Sequence, residues 1–387
     1  MKKQIWIPIL IVVVIIVGVV IFVPKSKNST DKEMAETEKE PIKIGALLSL
    51  TGTGVNYGEK TRVGIEIALE DIRKDENILQ GRKIEIIYED TQGDPKTAVT
   101  AIQKLIDVNK VPVIIGPIFS DEVLAVAPIT NSQKVVLLVT GAATDKIKDI
   151  GDYVFRNRVS ASPLSAYLAQ YLYEKLNIKK IAVAYENSAN SIDYKNGFIK
   201  KFEEMGGKIL SMENFNQKEK DFRTQIIKLK QSNPKAVFIT GHAEEIGYFL
   251  KQSKELNFES NFYSTAGAES DDLIKIAGTS AEGLILCSEA VDIESDDLVI
   301  QNFRNKYKTQ TNKEPDFFSA NGYDALKMIV MAGSRYGFTS SGIKKGLYEI
   351  KNFSGVGGLT SFDSDGEVIK PLMIKTIKNG QFVPYEE

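Results

Sequence analysis

Few side chains in this sequence stand where they could do chemistry, and the first are three glycines. The stretch GALLSLTGTGVNYGEKTRVGIEIALEDI, residues 45–72, closes an apolar run with a loop carrying Gly52, Gly54 and Gly58, then passes into helix-period sequence. Such loops can seat an anion, because free backbone N–H groups and the positive end of the helix meet there. The spacing Gly-x-Gly-x-x-x-Gly misses the dinucleotide fingerprint by one residue, and no Gly-Lys-Ser/Thr follows, so a phosphate-cradling loop is not indicated. Two readings stay open: a tight strand-to-helix turn, or a carboxylate seat at the helix start near Tyr57 and Gly58. Ser120, after IIGPIF, is either the N-cap of a helix starting at Asp121 or a donor to a ligand carboxylate at that helix end. TGAAT, 140–144, is a plain turn or a place where backbone and the Thr144 hydroxyl approach a ligand. Tyr194 reads equally as a half-buried helix residue or a contact.

Several chemistries are excluded. His242 is the only histidine and Cys287 the only cysteine, which argues against a zinc site and against a cysteine–histidine nucleophile. Gly-x-Ser-x-Gly is absent, so nothing supports hydrolase chemistry. No catalytic constellation, metal site or cofactor is expected, and Cys287, in the apolar GLILC, reads as a small buried hydrophobe. A formal net charge of −2 over 387 residues provides no field to hold nucleic acid. With one cysteine no intrachain disulfide can form, so the fold must stand on its cores.

The elements that would position these residues are short apolar runs, 42–48, 83–89, 111–116, 135–140, 180–186 and 235–241, which read as buried parallel strands. Helix-period segments lie between them, at 58–74, 95–109, 162–176, 194–205, 221–231 and 244–256, and two more follow at 298–309 and 318–336. Asp94-Pro95 fits an N-cap with proline at the first helical position. This alternation predicts a doubly wound α/β architecture, and the series restarts near residue 180, which predicts two similar lobes. In open α/β sheets ligands sit beyond the carboxyl ends of the strands, so the loops after each strand would face one cleft.

The N-terminus is different. Residues 5–23 are 19 residues without a charge, long enough as a helix, at about 28 Å, to span the bilayer core. They are read as a retained single-pass anchor, with a cleaved signal peptide as the alternative. Lys2 and Lys3 place the bulk of the chain outside the cytoplasm. Residues 24–41, highly charged and almost without apolar side chains, read as a flexible linker.

From Ile42 onward the chain resembles the branched-chain amino-acid (leucine/isoleucine/valine) binding proteins of ABC importers. The resemblance rests on IKIGALLSLTGTGVNYGEKTRVGIEIALEDI, YEDTQGDPKTAV, VIIGPIFS, TGAATD, EKDFRTQIIKLK, IAGTSAEGL and NGYDAL, in order. It implies the type I periplasmic-binding fold: two Rossmann-like lobes, 42–158 plus 290–360 and 159–289 plus 361–387, joined by a three-crossing hinge near 157–160, 288–291 and 358–362. It implies a non-enzymatic solute-binding protein that captures an amino acid, with apolar branched-chain side chains expected, or a related small carboxylate, by closure of the lobes. The implied partners are that ligand, an ABC permease and the membrane through the N-terminal helix, with the chain itself a monomer. A ligand-sensing receptor or co-receptor subunit built on the same fold is the alternative; it would need a partner chain for output. By position, the resemblance assigns Tyr57 to the cleft mouth, Ser120 to the ligand carboxylate, Ala142 and Thr144 to carboxylate and ammonium, and Tyr194 and His242 to the second lobe's aromatic contacts. Phe318 falls to an apolar wall. Two departures stand out. The family's first-lobe disulfide is replaced by Gln92–Gly93 and Phe119, and Ala266 stands where an acidic residue should meet the ligand ammonium, leaving Glu269 as its substitute.

Overall fold

The computed structural model describes residues 40–386 except 75–77, 80 and 292–294. The expected anchor at 5–23 and all but the end of the linker at 24–41 lie outside the described residues; among those described, no helix is long and apolar enough to cross a membrane. The first sheet is built from β1 (Ile42–Leu48), β2 (Ile84–Asp90), β3 (Val113–Ile115), β4 (Val136–Val139) and β5 (Val154–Arg156), with helices α1 (Val55–Ile72), α2 (Pro95–Gln103) and α3 (Ser120–Ser132) between strands. All its pairings are parallel, in the order β2-β1-β3-β4-β5, with Ile42 opposite Ile84 and Leu48 opposite Asp90. The central strands are buried on both faces, which explains their unbroken Val/Ile/Leu runs.

After α4 (Ala161–Glu174) the pattern repeats as β6 (Lys180–Glu186), α5 (Ala189–Glu204), β7 (Lys208–Phe215), α6 (Arg223–Gln231), β8 (Ala236–Thr240), α7 (Ala243–Glu255), β9 (Asn261–Thr265), α8 (Asp271–Ala277) and β10 (Ile285–Glu289). The chain then returns to the first lobe as α9 (Leu298–Thr311), α10 (Phe317–Tyr336) and α11 (Ser340–Tyr348). It continues as a small antiparallel sheet, β11 (Phe353–Gly355), β12 (Gly358–Phe362) and β13 (Val368–Ile369), before β14 (Leu372–Lys378) and β15 (Gln381–Pro384) extend the second sheet in the order β15-β14-β10-β9-β8-β6-β7. Helix α10 lies tightly on α1, and two glycines make that possible. A Cβ on Gly64 would stand 2.0 Å from the Ser319 carbonyl oxygen, and one on Gly322 would stand 2.3 Å from that of Thr61.

The last crossing differs from the expected 358–362. Arg156 N–H donates to the Gly366 carbonyl and Phe155 packs edge-on against Phe362, so β12 and β13 belong with the first lobe and the chain crosses at 370–371. The three crossings converge on one buried polar cluster. Glu289 Oε1 accepts from Val159 N at 2.6 Å, Glu289 Oε2 accepts from Asn321 Nδ2 at 3.0 Å, and Lys370 Nζ lies 3.9 Å from that same oxygen. Asn157 Nδ2 donates to the Asn321 carbonyl at 2.9 Å. A carboxylate so buried is tolerable only when its charge and lone pairs are answered, and here each crossing contributes to the answer.

Candidate ligand-binding cleft

The carboxyl ends of the two sheets face each other across a cavity of about 520 Å³ lined from both lobes, within the size range of small-molecule sites. The glycine loop does hold an anion, but it is the chain's own. Asp90 Oδ1 accepts from Leu50 N at 2.9 Å, Thr51 N at 3.2 Å and Gln92 N at 2.9 Å, and Oδ2 takes the Thr51 hydroxyl at 2.5 Å. Helix α1 begins at Val55 rather than at Tyr57–Gly58, and the Tyr57 and Gly58 N–H groups both turn back to the Gly54 carbonyl. The loop therefore positions Tyr57 and offers these amides to no ligand. Gly54, at φ 75°, allows the turn.

Of the eight residues singled out by sequence, three stand in the cavity wall: Tyr57, Ser120 and His242. Tyr57 packs its ring on Phe318, 4.7 Å between centroids, and its hydroxyl accepts from Ala243 N of the other lobe at 3.4 Å; burial raises its pKa. Ser120 is the first residue of α3 rather than its cap. The start of α3 is satisfied by Glu122 Oε2 accepting from Phe119 N at 3.0 Å, and the Ser120 hydroxyl accepts from Thr144 N at 3.2 Å.

The other five lie outside the lining. Ala142 and Thr144 are buried after β4, and the Thr144 hydroxyl donates to Asp193 Oδ2 of α5 at 2.5 Å. Tyr194, on the same helix five residues after its start, is buried against Arg158, whose Nη2 is 3.1 Å from its hydroxyl. Phe318 forms the layer behind Tyr57. Glu269 is held by Lys375 at 2.6 Å, so any ammonium seeking it would compete with a buried lysine, while Ala266 is fully buried in a short turn.

His242 ends the loop after β8 and sits beside Glu186, the last residue of β6. Strands β6 and β8 pair with Tyr185 opposite Thr240, which brings the two side chains together. Nδ1 is 2.8 Å from Glu186 Oε1, and the His242 N–H donates to Oε2 at 3.0 Å. Burial alone would lower the imidazole pKa, but the Glu186 charge outweighs it and raises the value to about 9. Burial likewise pushes Glu186 up, and the facing imidazolium brings it below the usual carboxylate range. Glu245, one turn along α7, is raised by burial and by the Glu186 charge. Glu186, His242 and Glu245 bring one potential ligand atom each within 4.8 Å of one another. With Nδ1 committed to a carboxylate and the ring protonated, the arrangement is that of an ion pair rather than a metal seat.

Sequence reasoning passed over most of the wall. Asp94, Asp121, Glu122, Glu219, Glu244, Glu245 and Asp272 line it, with Lys218 and Lys220, and Phe119, edge-on to His242 at 5.1 Å, closes it across the lobes. Further bonds span the cleft: Gln217 Nε2 to Asp121 at 3.1 Å, Asn56 to Asp272, Lys313 to Asp271, and Asp145 N to Asp193 at 3.0 Å. The lobes are closed on each other.

The comparisons agree with this architecture. The family model described as "Periplasmic binding protein" matches residues 41–381. A leucine-, isoleucine-, valine-, threonine- and alanine-binding protein of Pseudomonas aeruginosa is 24% identical over 352 residues, 90% of each chain. Among solved structures, a leucine-binding protein of Thermotoga maritima superposes with a TM-score of 0.84 at 29% identity, covering 89% of this chain and 98% of that one. The substrate-binding protein of a branched-chain amino-acid transporter from Streptococcus pneumoniae, in complex with isoleucine, gives 0.81 at 26%, covering 88% and 97%.

Proposed function

Because the chain belongs to the periplasmic binding protein family, we propose that it is the solute-binding component of an ABC importer, capturing an amino acid or a related small carboxylate between its lobes. It is not an enzyme. The observation that carries the reading is the cavity between the carboxyl ends of two parallel sheets, walled by both lobes and bridged by bonds from each. A ligand that touches both walls stabilises the closed form only by what it binds there in excess of the open form. Relatives described as binding leucine and isoleucine support an amino acid as the solute. Tyr57, Ser120 and His242 would contact it directly; Ala142, Thr144, Tyr194, Glu269 and Phe318 would come within reach on opening. An anchor at 5–23 would hold the binding lobes outside the cytoplasm as a monomer beside the permease.

Calorimetric titration of the full-length chain, in mild detergent and freed of carried-over solute, with the twenty amino acids and simple carboxylates tests this. One-to-one binding abolished by Ser120→Ala together with Thr144→Ala is expected. Absence of heat with every amino acid and carboxylate would remove the reading.

A further inference from the structure

We propose that Phe119 limits the length of the solute that the closed chain accepts: its ring, held in a slot that only glycines allow, is the fixed half of an aromatic barrier across the cleft. This rests on the solute-binding reading above and adds to it the residue that bounds the solute's side chain.

The slot is built by the first lobe alone. Phe119 lies between β3 and α3, and its ring tip enters the two loops that carry Gly54 and Gly93. A Cβ on Gly54 would fall inside the ring, against Cζ and Cε2, and one on Gly93 would stand 3.0 Å from Cε2. The two loops are tied to each other, with Thr53 N donating to the Gln92 carbonyl at 3.2 Å, and the Asp90 carboxylate accepts amides from both. The backbone that carries the ring is held as well, by Phe119 N donating to Glu122 Oε2 at 3.0 Å.

The second observation is what the ring faces. Phe119 is half-buried and lines the cavity. It stands perpendicular to Tyr57 at 6.1 Å between centroids, and perpendicular to His242 of the other lobe at 5.1 Å, an arrangement in which aromatic rings attract. His242 is itself fixed by Glu186 at 2.8 Å. Neither ring can turn aside without leaving its own anchors, so only opening of the lobes parts them. Ser120 follows Phe119 directly, so a carboxylate anchored at the Ser120 hydroxyl starts one residue from the ring. A side chain too long for the space must displace a clamped ring, and overpacking against fixed neighbours is penalised.

Straight-chain ladders read this: norvaline, norleucine and 2-aminooctanoate, with the matching acids pentanoate, hexanoate and octanoate, titrated calorimetrically into the full-length chain freed of carried-over solute. The unaltered chain should bind the longest member of a ladder at least about tenfold more weakly than the shortest, the scale of a methylene that does not fit. In Phe119→Ala that ratio should shift about tenfold or more in favour of the longest member, since each methylene that gains apolar surface adds about fourfold. Phe119→Leu, too short to fill the slot, should fall between, and His242→Ala, which removes the other half of the barrier, should shift the ratio the same way. A general loosening of the fold weakens every member alike and leaves the ratio unmoved; thermal melts confirm that each variant is folded, and Phe119→Leu carries the comparison if Phe119→Ala is not. Binding of the longest member as tightly as the shortest by the unaltered chain overturns the inference, as does an unchanged ratio in the Phe119 variants; both leave the solute-binding reading standing. A chain that binds neither ladder overturns it too, and if every other amino acid and carboxylate also gives no heat, the reading beneath it falls with it.

Discussion

The pairing of His242 with Glu186 makes a quantitative claim about stability on the alkaline side. A histidine whose pKa is raised from an ordinary 6.5 to about 9 in the folded chain binds its proton more tightly folded than unfolded. Its contribution is fully present below pH 6.5 and disappears as pH rises through about 9. The displacement corresponds to on the order of 3 kcal/mol, large against a typical total stability of about 5–15 kcal/mol. The cause is local: a carboxylate at 2.8 Å with no exposure to water, reinforced by the charges of Glu245 and Asp121. Urea unfolding of the full-length chain and of His242→Gln, at intervals from pH 6 to pH 10, reads it directly. The difference between the two proteins should shrink by on the order of 3 kcal/mol across that range, while titrations remote from His242, Glu186 and Glu245 cancel. A difference that stays constant from pH 6 to pH 10 would show that the imidazole is not charged in the folded state and would refute the reasoning.

Three further outcomes are expected. Gly64→Ala puts a methyl 2.0 Å from the Ser319 carbonyl oxygen and should cost about 1–3 kcal/mol by forcing α1 and α10 apart; an unchanged melting temperature would mean the helices are not in that contact. Lys370→Met leaves Glu289, at the meeting of the three crossings, short of a countercharge, and should destabilise by about 3 kcal/mol, read by denaturant midpoint; a loss below about 0.5 kcal/mol would show that Arg158, 4.0 Å from Glu289, suffices. Asp193→Ala removes the acceptor shared by the Thr144 hydroxyl and Asp145 N. Bonds to a charged group are worth about 1.5–3 kcal/mol, so the closed fraction of ligand-free chain should fall about tenfold or more, visible as a larger radius of gyration in solution scattering, and an identical profile would count against the bridge.

What sequence could convey depended on whether the physics was local. The central strands were legible because burial on both faces demands unbroken apolar residues, and the run 180–186 coincides with β6. β7 was missed because it is the edge strand of its sheet, buried only at Phe215 and exposed at Lys208, Met212 and Asn214, so KILSMENF carries no such run. Tyr57, Ser120 and His242 could be placed at the cleft because each follows a strand end, where any open α/β sheet presents its loops. Glu245 could not, since it sits inside a helix among many ordinary acids and stands in the cavity wall beside His242 only through the fold. The Glu186–His242 pair spans 56 residues and exists because β6 and β8 are neighbours in the sheet, a pairing that no local pattern encodes. The resemblance carried Thr144 and Glu269 as ligand contacts by position, but it could not report that Asp193 and Lys375 already occupy them.

That occupation bears on how a solute enters. Both places where donors for an anion were expected hold the chain's own carboxylates: Asp90 fills the glycine loop, and Asp193 takes the Thr144 hydroxyl and the Asp145 amide. The two differ in kind. Asp90 belongs to the same lobe as the loop it fills and accepts two of that loop's amides, Leu50 N and Thr51 N, so it is part of the scaffold and stays through any lobe motion. Asp193 reaches across from the second lobe, so opening the cleft withdraws it and exposes Thr144 beside Ser120. A solute carboxylate arriving at the open first lobe would then find those donors free, and on closure it and Asp193 would compete for them. Only a solute whose remaining contacts, including those with the acidic wall, exceed what Asp193 contributes can hold the lobes shut. Closure without a solute and closure around one are thus stabilised by rival carboxylates at the same hydroxyl, and selectivity lies in the part of the solute that Asp193 cannot imitate.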